Sequence, residues 1–157
     1  MNELEWVAAQ LKQVYDGDAW HGPSLLEILK DVTAEQAVRR PIREAHSMWE
    51  LVLHITAWES VVWRRMAGET IASLASDENF PRVADTSEAA WRGGLERLEL
   101  ANTELRAAIQ SFPLARLGDI VPGRKYDFRT MLYGAAQHQI YHAGQIALLK
   151  RAVSGRA

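Results

Sequence analysis

The sequence predicts an all-α protein, a four-helix bundle with short extra helices in the loop between its first and second long helices. Three observations carry that prediction. Four segments repeat apolar residues at spacings of three and four over several turns, the period of an amphipathic helix. Runs with strand-like alternation are few. The 157 residues are 48 % apolar, which is one domain's length with enough apolar side chain for one core, so residues 1–157 read as a single domain.

The first helix runs from about Asn2 to Tyr15, with Leu4, Val7, Ala8, Leu11, Val14 and Tyr15 on one stripe, and Asp16-Gly17-Asp18 ends it. Within segment 16–46, Ser24 to Lys30 reads as a short helix behind Pro23. Thr33-Ala34-Glu35-Gln36 has capping-box spacing and opens a further turn or two. The second long helix begins near Ser47, where Ser47 and Glu50 stand as an N-cap and its reciprocal partner. Its apolar series is Met48, Leu51, Val52, Ile55, Trp58, Val62 and Met66, and Gly68 stops it. Segment 69–85 reads as a linker, with Pro81 near its end. The third long helix starts at Asp85 or Thr86, carries Trp91, Leu95, Leu98, Leu105 and Ile109, and ends before Pro113. Gly93-Gly94 in its interior costs about 1 kcal/mol per glycine relative to alanine, which predicts a kink or a close helix contact there. Segment 112–126 holds two prolines and two glycines and reads as a loop. Asp127 caps the fourth helix, which runs to about Val153.

Composition excludes several classes. Net charge is -2, the pI is about 6.2, and no Lys/Arg-rich run exists, so the electrostatic footprint of a nucleic-acid binder is missing. There is no cysteine, which excludes disulfides, thiolate metal ligands and a cysteine nucleophile. The start, Met1-Asn2-Glu3-Leu4-Glu5, is acidic and lacks the basic and apolar parts of a secretory signal. No stretch approaches the roughly 18 to 20 apolar residues of a membrane span. A cytoplasmic protein without membrane or nucleic-acid partners is the expectation.

The chemistry sits on three histidines. His138 and His142 are four residues apart, so both imidazoles leave one face of the fourth helix and can close on one ion. His54 lies about seven residues into the second helix, roughly 10 Å from its start at 1.5 Å per residue. By the same rise His138 and His142 lie roughly 16 to 22 Å into the fourth, so the three can share a level. They flank the inward face of Met131, Ala135, Ile146 and Leu149, and His54 sits beside Leu51, Ile55 and Trp58. Neutral imidazoles suit zinc, nickel or iron, and three protein nitrogens leave coordination positions for water or substrate. The bland alternatives are a core histidine satisfied by one hydrogen bond and a solvated pair on a helix face. Ala143 and Gly144 favour the metal reading, because small residues admit a neighbouring helix.

Other aromatic and titratable residues have weaker readings. His46 precedes the Ser47 cap and is expected to pack on the first turn of the second helix. His21, in Trp20-His21-Gly22-Pro23, either lines the mouth of the site or caps the short helix. Tyr141 points roughly 100° away from His142 on a 3.6-residue helix, which suggests packing. Glu50 is one turn before His54, and its capping role is preferred to an outer-shell one. Most of the six tryptophans fall at core spacing, but Trp49 and Trp63 fall partly off the stripe and predict a homodimer surface.

Three segments together resemble the DinB-like (DinB/YfiT) superfamily of metal-binding four-helix bundles. They are Ala19-Trp20-His21-Gly22-Pro23-Ser24, Ser47-Met48-Trp49-Glu50-Leu51-Val52-Leu53-His54-Ile55, and His138 to Gln145 with its His-x3-His-Ala-Gly-Gln element. The resemblance covers nearly the whole chain in order. It implies an up-down-down-up bundle, often dimeric, with a divalent metal on His54, His138 and His142 and water completing the shell. It also implies that 69–85 is the crossover between parallel second and third helices. Better understood members are thiol-dependent transferases and isomerases that use a low-molecular-weight thiol.

The leading functional expectation is therefore a zinc- or nickel-dependent enzyme, a thiol S-transferase acting on a small electrophile or a hydrolase-like relative. His21, or Tyr141 beside the ligand pair, is the candidate for proton transfer there, with packing preferred for Tyr141. A non-catalytic metal-binding or stress-response protein of the same fold is the rival. It predicts a closed fourth position, for example from Glu50 or Glu59, and no adjacent cavity. A helical interaction module without metal requires the three histidines to be spatially unrelated.

Overall fold

The computed structural model describes residues 1–155. Among the described residues seven α-helices follow one another: α1 Glu3–Asp16, α2 Leu25–Leu29, α3 Ala34–Val38, α4 Met48–Met66, α5 Ser76–Asn79, α6 Glu88–Ser111 and α7 Phe128–Ser154. A 3-10 turn covers Leu114–Arg116, and among the described residues no strand forms beyond one isolated bridge, Ile120 to Asp127. The four long helices of the sequence reading are α1, α4, α6 and α7.

Side chains at the starts satisfy backbone donors that a helix leaves open. The Asn2 side chain accepts from the Glu5 N–H at 2.9 Å, and Glu5 accepts in return from the Asn2 N–H at 2.8 Å. Ser47 and Glu50 do the same at 3.2 and 2.8 Å, so Glu50 is a capping residue, and Arg40 pairs with its other oxygen. Asp127 accepts from the Thr130 N–H at 2.8 Å. Each such cap contributes about 1 kcal/mol. The α6 cap is Ser87, one or two residues later than expected. Asp85 is spent on the preceding turn, where it accepts from the Ser87 N–H at 2.9 Å.

Packing fixes the topology. α4 packs against α6 and α7, and α1 packs against the same two, which leaves α1 and α4 across a diagonal. One apolar cluster joins the end of α1 (Tyr15), the start of α4 (Met48, Trp49, Val52, Ile55), the start of α6 (Trp91, Leu98) and the end of α7 (Ile146, Leu149). The other joins the start of α1 (Leu4, Val7), the end of α4 (Val62, Met66), the end of α6 (Leu105, Ile109) and the start of α7 (Phe128, Leu132). α4 and α6 are therefore parallel to each other and antiparallel to α1 and α7, an up-down-down-up bundle. The 67–87 connection makes the crossover, and its one helical turn, α5, was not expected in what read as a linker.

Between the two apolar clusters the interior is polar. Glu59 of α4, Asn102 of α6 and Gln139 of α7 are buried there, and Asn102 donates to Glu59 Oε1 at 3.0 Å. Arg106 donates to Asn102 Oδ1 at 2.8 Å. Glu59 Oε2, both side-chain polar atoms of Gln139 and the Tyr15 hydroxyl are buried without a partner.

Several expectations change at this level. Trp49 is 2 % exposed, with its ring 5.1 Å from that of Trp91, so it belongs to the core and not to a dimer surface. α4 faces two long neighbours, and its buried stripe is wider than one apolar row. The indole of Trp49 meets α6 at Gly94, 3.6 Å from where a Cβ would stand, an ordinary packing contact between the two helices at the Gly93-Gly94 position. Trp63 is exposed as expected. Gly144 does not admit a neighbouring helix: a Cβ there would meet nothing within 4 Å, whereas Ala143 is buried.

Candidate metal centre

α4 and α7 run antiparallel and bring His54, His138 and His142 to one point, with their ligating atoms all within 4.8 Å of one another. His138 Nε2 stands 3.0 Å from His54 Nε2 and 3.1 Å from His142 Nε2. Two bonds of roughly 2.0–2.1 Å to a shared ion span at most about 4.2 Å, so these pairs lie well within reach of one. His54 and His142 are buried and His138 is half-buried.

The ring tautomers follow from the outer partners. The His54 Nδ1–H donates to the Asn79 carbonyl oxygen at 2.7 Å, because a carbonyl can only accept. The His142 Nδ1–H donates to Gln145 Oε1 at 2.6 Å. Both rings therefore point a bare Nε2 lone pair inward. His138 can offer a proton from Nε2 to only one of them, so the cluster holds more acceptors than donors. A cation corrects that imbalance, and the pattern of a ring N–H held by a carbonyl is the usual support of a metal-bound histidine. The donor set thus fits a divalent metal ion.

Electrostatics keep the rings neutral, as ligands must be. Burial holds His54 below the usual imidazole range, and its bond to Asn79 offsets part of that. Burial likewise lowers His142. Burial, then the two neighbouring histidines, push His138 down to about 3.

The crossover supplies residues that the sequence reading missed. Phe80 stacks on His54 with ring centroids 4.1 Å apart and on His46 at 3.6 Å, both 6° from parallel. His46 stands beside the first turn of α4, with its Nδ1 3.9 Å from Glu50 Oε2, and packs its ring on Phe80 of the crossover. The Trp58 indole N–H donates to Asn79 Oδ1 at 2.8 Å, which ties the crossover to α4 beside the histidines. Asn79 and Phe80 belong to a single helical turn and its end with no apolar period, so nothing local marked them. Gln145 had a signal, its three-residue offset from His142 on a helix.

The other candidates fall elsewhere. His21 is exposed in the connection between α1 and α2, and neither hydrogen bond nor ring contact links it to the three histidines. Tyr141 is exposed, with its ring 5.0 Å from that of His142. Glu59 is not among the clustered ligand atoms, and its Oε1 is held by Asn102.

Beside His138 lies a cavity of about 270 Å³, lined by Trp58, Glu59, Val62, Arg65, Met131 and Gly134 among others. Burial raises the Glu59 carboxyl from 4.5 to about 8, against the lowering effects of Asn102 and Arg106. Burial thus favours the neutral acid in an otherwise largely apolar wall. Among the described residues no helix is long and apolar enough to cross a membrane.

No curated protein and no solved structure matches the chain. A family model of the DinB superfamily matches residues 19–146, a span that holds all three histidines, Asn79, Gln145 and the cavity walls. The chain belongs to the DinB superfamily.

Proposed function

We propose that residues 1–157 form one catalytic domain, a divalent-metal-dependent enzyme in which His54, His138 and His142 hold zinc or nickel. The observation that carries the catalytic half of this reading is the cavity beside His138, together with the absence of a carboxylate among the clustered ligands. A purely structural site closes its fourth position, whereas a catalytic one leaves it to water or substrate. Among the described residues neither carboxylate that could close the site is clustered with the three rings: Glu50 caps α4, and Glu59 stands in the cavity wall with its Oε1 on Asn102. The helical-module reading falls with the clustering of the three rings.

The reaction proposed is conjugation of a low-molecular-weight thiol to a small electrophile. The chain has no cysteine, so the thiol comes from a cosubstrate. A bound divalent ion lowers the pKa of a coordinated thiol or water and so raises the nucleophile population at neutral pH. The protein's own groups do the rest. Asn79 and Gln145 fix the orientation of two rings. Trp58, Val62 and Met131 give the cavity apolar walls against which a substrate can lie. The neutral Glu59 acid is placed in its wall to give a proton to a leaving or developing anionic atom.

We extend the reading to a cytoplasmic homodimer formed through the face that carries the exposed Trp63. Light scattering at high concentration checks it, and a clean 17.7 kDa species contradicts it.

The activity test uses a panel of small thiols and electrophiles. Turnover is expected to vanish on chelation, return with zinc or nickel, and be absent in His142→Ala. Tight metal binding with no turnover across the panel would replace this reading with the non-catalytic one.

A further inference from the structure

The cavity beside His138 carries a charge with no counterpart. Arg65, in the last turn of α4, is 1 % exposed and forms part of the cavity wall. Its Nε and Nη2 donate to the Ile71 carbonyl at 3.0 and 2.5 Å, and Nη1 donates to the Tyr126 hydroxyl at 3.1 Å. A guanidinium has five N–H donors, so one N–H remains on each terminal nitrogen. Among the described residues no carboxylate stands within 4.0 Å of it.

The surroundings do not neutralise this cation. Glu59 shares the cavity, but its Oε1 is held by Asn102 and burial favours its neutral form. Burial disfavours the charged Arg65, Tyr126 offsets part of that, and Arg124, with its guanidinium 5.1 Å from the Tyr126 ring, adds a second positive charge nearby. The open carbonyls at the α4 C-terminus and the Trp58 ring, 5.7 Å from Arg65 Cζ, offset only part of one unit charge. A buried charge without an opposite charge is unfavourable, and in a cavity wall it is a place for a ligand's anion.

The rest of the cavity sets the remainder of the ligand. Trp58, Val62, Met131 and Ala135 are apolar walls, and His138 is exposed to the same space. About 270 Å³ is room for roughly nine water volumes at about 30 Å³ each, the size of a short organic acid.

We propose that this cavity binds a small carboxylate. Its two oxygens take the free N–H groups of Arg65, its aliphatic body lies along Trp58, Val62 and Met131, and its far end reaches His138. A carboxylate matches paired donors on one planar guanidinium. Only the assignment of the far end as the reacting end rests on the metal-enzyme reading, because binding itself needs no ion. The electrophile is then an unsaturated or otherwise activated short-chain acid.

The test is calorimetric titration of the full chain, chelator-treated and metal-loaded, with hexanoate, hexan-1-ol and hexylammonium. Hexanoate is expected to bind about 10-fold or more tighter than hexanol, with hexylammonium excluded. Arg65→Met removes the preference for hexanoate over hexanol. Arg65 also holds the crossover at Ile71, so a second variant covers a folding failure. Gly134→Leu fills the cavity from α7, where a Cβ meets nothing within 4 Å, and should abolish hexanoate binding without lowering the unfolding temperature. Equal affinity for hexanoate and hexanol overturns the proposal, as does hexanoate binding undiminished in Gly134→Leu. A hexanoate preference in a protein that binds no metal leaves this proposal standing and removes the metal-enzyme reading. Metal binding without that preference does the reverse.

Discussion

Replacing Glu59 by glutamine should stabilise the protein, by an amount that depends on pH. Glu59 is 4 % exposed, its Oε1 accepts one hydrogen bond from Asn102, and its Oε2 has no partner. Burial keeps the proton on the folded carboxyl up to about pH 8, while the unfolded chain releases it near 4.5. Below pH 4.5 both states hold the proton and the folded state is not penalised. As pH rises toward 8 the unfolded state is increasingly favoured by ionisation, and stability falls by about 1.36 kcal/mol per pH unit. At pH 7 the loss spans two and a half pH units, about 3 kcal/mol. Glutamine cannot ionise and keeps an oxygen for Asn102. Its amide is left as unpaired as the acid's O–H was, so the remaining local terms nearly cancel. Urea denaturation of chelator-treated wild type and Glu59→Gln at pH 5, 6, 7 and 8 isolates the effect, because every other titrating group is shared. The gap should widen by about 1.4 kcal/mol per pH unit in favour of the variant and stop widening above about pH 8. A gap that is constant from pH 5 to 8 would refute the reasoning, since Glu59 would then ionise as it does in the unfolded chain.

The remaining predictions are smaller. Gln145→Ala removes the acceptor that holds the His142 ring and should weaken metal affinity about 10- to 100-fold with the fold intact, measured by competition with a chromogenic chelator. Gly144→Ala should raise stability by up to about 1 kcal/mol, because an exposed helical glycine is replaced where a Cβ meets nothing; thermal unfolding checks it. Trp49→Ala opens a large hole against Trp91 and should cost about 3–5 kcal/mol in urea denaturation, whereas a dimer-surface role would leave the monomer's stability nearly unchanged.

The parts that were legible in sequence are those encoded locally. Caps at Asn2, Ser47 and Asp127 mark helix starts by side-chain chemistry within three residues. The His138–His142 pair announces a shared face by its spacing alone. Pairing with His54 was legible because the apolar stripes of α4 and α7 oblige both to face one interior. The parts that were not legible depend on what crosses over them. Phe80 and Asn79 reach the histidines only because the crossover folds back onto α4, and no periodicity encodes that path. Arg65 sat in plain view on the apolar stripe between Val62 and Met66, a charge at a core position, yet its role appears only with the cavity around it. The misreadings of Trp49 and Gly144 share one cause. A single stripe says which way a helix faces, but not how far around its girth the neighbours reach.

Elemental analysis of protein purified without a histidine tag, set against the same analysis of His138→Ala, tests the central claim most directly. His138 bridges the other two rings at 3.0 and 3.1 Å and is only half-buried, so its loss should open the site without unfolding the bundle. One zinc or nickel ion per chain in the wild type, absent from a folded His138→Ala, is the predicted result. A wild-type protein without stoichiometric metal after incubation with either ion, or a His138→Ala variant with undiminished metal, would contradict it.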